Sequence, residues 1–521
     1  MSFITKIRPT WKNALLAILA AVLLILAFPD FEYWFLAWFA LVPLMWAVER
    51  ERESVVRSFV MGWLFGTVFF FGTCWWLTFA PINYAGFPPW LAYSGMVFVA
   101  GAVGLFPALF AGILAVLLRR FGSWGFLAAP FVWVFTEFLR YWLTGNNWNA
   151  IGYSQAFGPF ILTGSIGGVY IVSLLPVAFQ AAILTEISAF SISNRVFVSK
   201  LFPSFIVLGT LLLPVYFHVR SINERETSDF LEPVTHVIAI QPNVPMSNLT
   251  YQELKRRRDW QFTTALEIES GLGYRLSPTL IVLPESPMNF MYEDDREFQK
   301  FIDDFARRNN VSVLFNSAEP DATNGRYFNS AVMVGPQGGE TGQYDKIYLL
   351  PFGEAVPPFL EGIVPGFVGN FSYGREYDLL PLGDAKAGVM ICFESHFGQL
   401  SRRFVADGAD VLIEMTNDGY LGPTPVLRQH LANAVLRAVE TNRPVLRVTN
   451  VGITAYINEK GAVLNPAGTY QEATRVWSVS KSDGSQTLYV KYGDWFAWLC
   501  SLVTVGMLVF GMLKKKRLEE V

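Results

Sequence analysis

Gly388-Val389-Met390-Ile391-Cys392-Phe393-Glu394-Ser395 is an apolar run that stops at a thiol and continues in polar residues. A short apolar run beside Gly suits a strand covered on both faces, so Val389 to Ile391 reads as buried β-structure with Cys392 at its C-terminal end. In layered α/β folds, loops at that end gather reacting groups on a rigid sheet, which makes Cys392 a candidate nucleophile in a polar, partly open setting. The competing reading is a structural thiol, because free Cys is among the most buried residue types.

Working outward, 521 residues exclude a single small domain. Hydrophobic residues make up 52% and charged residues only 16%, against about 25% charged in soluble chains, which is the composition of a membrane protein. A net charge of −3 lacks the basic excess of a nucleic-acid partner. The three cysteines, Cys74, Cys392 and Cys500, form no close-spaced pair, so neither a disulfide framework nor a Cys-based metal site is expected.

Asn13 to Phe28 and Tyr33 to Val48 are apolar and nearly adjacent, with no small-residue cleavage site between them, so the first is read as an uncleaved span and not a signal peptide. Ser58 to Phe79, Trp90 to Leu118, Trp124 to Leu143, Phe160 to Phe190 and Val196 to Tyr216 follow, each near or above the roughly 20 residues that cross a bilayer. Trp495 to Leu513 makes an eighth, stopped by Lys514-Lys515-Lys516-Arg517. Residues 1–219 are therefore expected to form a membrane domain of seven transmembrane helices, 220–492 an extracytoplasmic catalytic domain, and 493–521 a last span with a basic cytoplasmic tail. Arg50, Arg52, Arg57, Arg119, Arg120, Arg195 and Lys200 crowd alternate loops, which puts those loops and both termini on the cytoplasmic side. Glu137 and Arg140, three apart near the outer end of the fifth span, are expected to neutralise each other.

Between the spans, short apolar runs alternate with charged, helix-period segments. Thr279 to Leu283, Val311 to Phe315, Val389 to Ile391, Val411 to Glu414 and Val445 to Val448 read as strands, and Gln252 to Glu269, Glu297 to Arg308 and Leu427 to Thr441 as helices. Glu285, Cys392 and Asn417-Asp418 each follow an apolar run, and parallel strands would gather those ends. Lys346 is a lone cation with apolar residues downstream, suited to a dry site. Such a set can perform thiol-based acyl transfer, with Cys392 attacking a carbonyl, Glu285 carrying the proton and Lys346 stabilising the oxyanion.

At Leu283-Pro284-Glu285, Lys346 through Val356, Ile391-Cys392-Phe393-Glu394 and Thr416-Asn417-Asp418, the sequence resembles the nitrilase superfamily. With Gly152-Tyr153-Ser154-Gln155, Gln241-Pro242-Asn243-Val244-Pro245 and the multispan wrapper, it resembles the superfamily's membrane-embedded branch, the apolipoprotein N-acyltransferase family. The resemblance implies an αββα sandwich joined to a helical bundle of about eight spans, with Glu285 as base, Lys346 as oxyanion cation and Cys392 as nucleophile. Glu354, Glu394 and Asn417 match further positions of the family's site. Phe393 and Tyr420 stand where Tyr and Trp are familiar, so a phenol and an indole are not indispensable there.

The implied reaction is a ping-pong transfer from a membrane phospholipid, through a thioester, to the α-amino group of a diacylglyceryl-cysteine at an apolipoprotein N-terminus. The resemblance further implies a monomer in the bacterial inner membrane, with its catalytic domain in the periplasm and no cofactor. The alternative is a membrane-tethered nitrilase-type amidase with water as acceptor; a transporter or scaffold with a noncatalytic domain is disfavoured by the triad. Val356 to Val368, with Phe359 and Phe367, is too apolar for a solvated loop and too broken by Pro and Gly for a regular element. It is read as a lid at the bilayer interface, against the alternative of a loop packed on the domain's own core.

Overall fold

The computed structural model describes residues 7–190, 209, 220, 233–247, 249–271, 279–285, 288, 290–351, 353–356 and 371–513. The chain divides into two compact units, Met1–Glu224 with Tyr492–Val521, and Arg225–Lys491.

The first unit is helical: α1 (Trp11–Ala27), α2 (Val42–Arg50), α3 (Val55–Cys74), α4 (Pro89–Val103), α5 (Leu105–Phe121), α6 (Ala129–Thr144) and α7 (Val169–Phe190), with the C-terminal helix Trp495–Leu513. Among the described residues, four stretches are long and apolar enough to cross a bilayer: Val55–Asn83, Pro89–Thr144, Val169–Ser188 and Trp495–Leu513; α1 is a shorter apolar helix. The expected count of eight is not reproduced as eight regular helices. Tyr33 to Val48 is a 3-10 turn, Trp34–Trp38, followed by the nine-residue α2 with Pro43 in its first turn. Irregular backbone of this kind needs partners from elsewhere in the protein. Buried Gln180 donates to the Ala37 carbonyl and accepts from the Leu41 amide, while Gln155 donates to the Trp34 carbonyl and accepts from the Trp38 indole. Phe160 to Phe190 is likewise interrupted, at Gly168 (φ +68°), and becomes a regular helix only from Val169. Val196 to Tyr216 lies outside the described residues.

Glu137 and Arg140 on α6 each serve the turn that follows the helix. Glu137 accepts from the Trp133 indole and the Ile151 amide, and Arg140 donates to the carbonyls of Asn147 and Trp148. The two side chains, which also interact with each other through their opposite charges, thereby cap the irregular backbone of this turn.

The second unit carries β1 (Pro233–Gln241), α8 (Tyr251–Gly271), β2 (Thr279–Val282), α9 (Arg296–Asn309), β3 (Ser312–Asp321), β4 (Arg326–Val334), β5 (Glu340–Asp345), β6 (Leu379–Leu382), β7 (Ala385–Ile391), α10 (Gly398–Ala406), β8 (Val411–Thr416), α11 (Val426–Thr441), β9 (Val445–Thr449), β10 (Ala455–Ile457), β11 (Val463–Leu464) and β12 (Ala473–Ser480). Two six-stranded sheets result, ordered β12-β1-β2-β3-β4-β5 and β11-β10-β9-β8-β7-β6. Each has a parallel trio, β1-β2-β3 or β7-β8-β9, flanked by antiparallel strands. The five strands and three helices read from sequence all fall on these elements, although β3 continues to Asp321. Phe262 of α8 and Phe298, Ile302 and Ala306 of α9 cover the first sheet through Ile238, Ile281, Val313 and Phe315. Phe404 of α10 lies against Gly388 of β7, where an added Cβ would sit 2.6 Å from it. Thr449, at the end of β9, donates to Gln241, at the end of β1, at 3.0 Å and so joins the sheets.

In the helical unit, Gly62 and Gly66 let α3 approach α5 and Gly104, the small-residue contact that holds membrane helices together by close packing. A Cβ on Gly62 would run into the Pro107 carbonyl oxygen and meet the Ala108 Cα at 2.8 Å, whereas one on Gly95 would meet nothing within 4 Å. Gly62→Ala is therefore expected to lower stability by about 1–3 kcal/mol, since backbone must move, and Gly95→Ala to leave it unchanged or raise it by ~0.5 kcal/mol. Thermal unfolding of the full chain in detergent measures both, and equal behaviour of the two variants would contradict this packing.

Candidate active site

Each predicted polar group stands just past the end of a strand. Glu285 follows β2, Lys346 follows β5, Cys392 follows β7 and Asn417 follows β8. The first two belong to one sheet and the last two to the other. Cys392 has φ +53°, a left-handed conformation that costs a non-glycine residue about 1 kcal/mol, and it opens the 3-10 turn Cys392–His396. Its exposure is intermediate, unlike that of the buried Cys74 and Cys500.

Lys346 is 1% exposed, and its Nζ donates to Glu354 Oε1 at 2.7 Å and lies 3.5 Å from Glu285 Oε1. Burial pulls the amine down, but the Glu354 and Glu285 carboxylates outweigh it and hold Lys346 above its ordinary range. Glu354 Oε2 also accepts from the Leu350 amide, and Glu285 Oε2 from the Asn417 amide. At Cys392, burial and then the Glu285 charge push the thiol well up, against the pull of Lys346. The resting sulfur is therefore a neutral thiol with a carboxylate and an ammonium group near enough to act on it.

Glu394 is fully buried and supports the site from behind. Its Oε1 accepts from Tyr344 Oη and the amides of Ile347 and Tyr348, and its Oε2 from the Ile391 amide. Burial raises its carboxyl to about 7 despite these four donors. Phe393 packs edge-on to Phe397 and parallel to His396. Tyr420 is half-exposed; partial burial and the charges of Glu285 and Glu354 push its phenol up to about 12. Phe359 and Phe367, with the proposed lid, lie outside the described residues.

Sequence reading missed Asn329, in the middle of β4. Its amide donates to Glu354 at 2.6 Å and Glu285 at 3.1 Å, while Asn316 donates to its oxygen at 2.7 Å. Asn is depleted in strands, so Phe328-Asn329-Ser330-Ala331-Val332 carried a signal. Also missed was a buried charge cluster under Cys392. Arg447 pairs with Glu414 and with Asp418 (2.8 Å), and His430 Nδ1 lies 2.7 Å from Asp418 Oδ1. No group of three or more His, Cys, Asp or Glu among the described residues is placed to hold a metal ion.

Residues 20–182 match the apolipoprotein N-acyltransferase N-terminal domain, and residues 272–487 match the carbon-nitrogen hydrolase domain. An apolipoprotein N-acyltransferase from Geobacter metallireducens is 31% identical, the alignment covering 94% of this chain and 93% of the relative. One from Pasteurella multocida is 29% identical over 99% of each. A solved amidase of the nitrilase superfamily from Nesterenkonia aligns at 15% identity and a TM-score of 0.37, covering 48% of this chain and 93% of that one.

The buried acids and His430 set the pH response. The Asp418 and Glu414 charges overcome burial and Arg447 to raise His430 to about 9. A histidine held above its unfolded value of 6.5 contributes stability in full below pH 6.5 and loses it as pH rises through about 9, an amount on the order of 3 kcal/mol. Glu394, raised from 4.5 to about 7, acts in the same direction in a lower window, from about pH 4.5 to 7. The unfolding temperature of the full chain is expected to fall between pH 6.5 and 9.5. His430→Gln should flatten that upper window and spare the lower one; an unaltered slope would mean that His430 is not charged.

Proposed function

We infer the reaction from one premise: the chain belongs to the apolipoprotein N-acyltransferase family. It is an enzyme of the nitrilase superfamily and acylates lipoproteins at nitrogen. The donor is a membrane phospholipid and the acceptor the α-amino group of an N-terminal diacylglyceryl-cysteine. The observation that carries the mechanism is the buried Lys346 ammonium between Glu285 and Glu354, at 3.5 and 2.7 Å, beside a thiol kept neutral at rest.

Glu285 takes the Cys392 proton as sulfur attacks the donor ester carbonyl, because a thiol raised by burial supplies little free thiolate on its own. Lys346 stabilises the oxyanion, and its cost of burial is already met by the carboxylates around it. The tetrahedral adduct collapses with return of the proton from Glu285 to the leaving oxygen, releasing lysophospholipid and leaving a Cys392 thioester. The acceptor amine then attacks the thioester, Glu285 removes a proton from nitrogen, and the C–S bond breaks to return the thiol. Glu354 holds Lys346 in place, Glu394 ties the Lys346 loop to the Cys392 turn, the Asn417 amide holds Glu285, and Phe393 and Tyr420 are supporting residues of the site.

The basic residues of alternate loops support an orientation with the catalytic unit, 220–492, on the outer face of the inner membrane, between the helical segment 1–219 and an anchor at 493–521. Hydrolysis by water is set aside, since residues 20–182 match a domain of the acyltransferases that a hydrolase of soluble amides does not need.

Purified full chain incubated with phospholipid vesicles and followed by mass spectrometry is expected to gain one acyl group on Cys392. Cys392→Ser should gain none, since an alkoxide is far harder to form near neutral pH than a thiolate; Cys74→Ser and Cys500→Ser should acylate normally. Glu285→Gln should slow the same step by about 10²-fold or more, the scale of one proton-transfer catalyst. Normal acylation of Cys392→Ser, or an adduct on another residue, would refute the mechanism.

A further inference from the structure

The residues beneath Cys392 form an arrangement that the acyl-transfer steps leave unused. One face of α11 carries His430 and Arg437, seven residues apart, 4% and 1% exposed. Both reach the backbone of the nucleophile turn. His430 Nε2 lies 3.0 Å from the Cys392 carbonyl oxygen and 2.9 Å from Ser395 Oγ. Arg437 Nη1 donates to the carbonyls of Ser395 (3.3 Å) and His396 (2.8 Å). The other charged groups facing His430 are Asp418 at Nδ1, Glu414 at Nε2 (3.1 Å) and, beyond them, Arg447. Both ring nitrogens thus face carboxylates, and a neutral imidazole has only one N–H to offer. A ring protonated at both nitrogens can donate on both sides at once, to Asp418 and to the Cys392 carbonyl.

We propose that α11 is the positioning element of the nucleophile: the N–H groups of His430 and Arg437 hold the carbonyls of Cys392, Ser395 and His396 and so keep Cys392 at its left-handed backbone angle beside Glu285 and Lys346. Left to itself, a non-glycine residue at φ +53° relaxes to an ordinary conformation, and rotation of this peptide would carry the sulfur away from its base. Carbonyls fixed from below by two cations resist that rotation. Asp418 and Glu414, through Arg447 and the register of β8 and β9, keep His430 charged and in place. Neither His430 nor Arg437 touches substrate, and both act through Cys392.

This inference rests on Cys392 as the acylated residue, so the experiment begins by mapping the adduct in the unaltered chain; an adduct elsewhere removes the mechanism and the inference with it. With the adduct on Cys392, the single-turnover acylation rate per folded molecule and the KM for phospholipid are measured for His430→Leu, His430→Gln, Arg437→Met and Arg437→Lys. Misplacement of a reacting atom by about 1 Å costs ~10²-fold, so His430→Leu is expected to acylate about a hundred times more slowly with KM unchanged. His430→Gln, which keeps an N–H, should recover part of the rate, and Arg437→Lys should exceed Arg437→Met in the same way. A normal rate per folded molecule in the Leu or Met variant, or equal loss in each pair, would overturn the proposal while leaving Cys392 as nucleophile. If His430→Leu yields no folded protein, the Arg437 pair decides by the same criteria; if Arg437→Met is also lost, His430→Gln and Arg437→Lys decide, and a raised KM with an unslowed acylation rate in both overturns the proposal.

Discussion

A single ammonium group, that of Lys346, cannot be buried alone. Removing one charge from water costs several kcal/mol even after relaxation, and only close counter-charges with satisfied hydrogen bonds offset it. Glu285 from the end of β2, Glu354 from the loop after β5 and Asn329 from the middle of β4 therefore converge on one point. The site is the arrangement in which this cation can exist in a dry interior. The proposed chemistry draws on the same constraint, because a cation already held among carboxylates needs little reorganisation to meet an oxyanion.

A second constraint operates below the thiol. Strands β8 and β9 are buried along their length, yet each carries a charge, Glu414 and Arg447, placed directly opposite each other in the parallel register. A slip of one residue would leave both unpaired and fully buried, so the pair excludes neighbouring registers as strongly as the apolar side chains do. The two clusters are separate solutions to the same problem. One gathers Glu285, Glu354 and Asn329 about Lys346, the other lies against the backbone that carries the Cys392 sulfur.

Much of this was legible in the residues. Strand ends at Glu285, Cys392 and Asn417 followed from apolar runs ending in polar groups, and the helices from their 3.6-residue period. Asn329, His430 and Arg447 were passed over because their partners lie far along the chain: Asn329 meets groups 25 and 44 residues away, and no local pattern announces such a meeting. Charges inside Val411-Leu412-Ile413-Glu414 and Val445-Leu446-Arg447 were visible, but their pairing depends on sheet order. The spans show the opposite failure. Hydropathy read Tyr33 to Val48 as one continuous helix, and it cannot register that Gln155 and Gln180 stand ready to satisfy broken backbone.

The last strand of the catalytic unit returns to the first sheet. β12, residues 473–480, pairs with β1 in antiparallel register, although some 230 residues separate them. Until β12 arrives, one edge of β1 presents a row of unpaired N–H and C=O groups, the kind of edge that recruits foreign strands. A chain made from its N-terminus thus delivers Glu285, Lys346 and Cys392 well before the sheet that carries Glu285 is closed. Biogenesis is therefore exposed to interruption at its very end: a protein cut short before residue 473 would carry all three of these residues, yet lack both the strand that seals its first sheet and the apolar helix Trp495–Leu513 that follows.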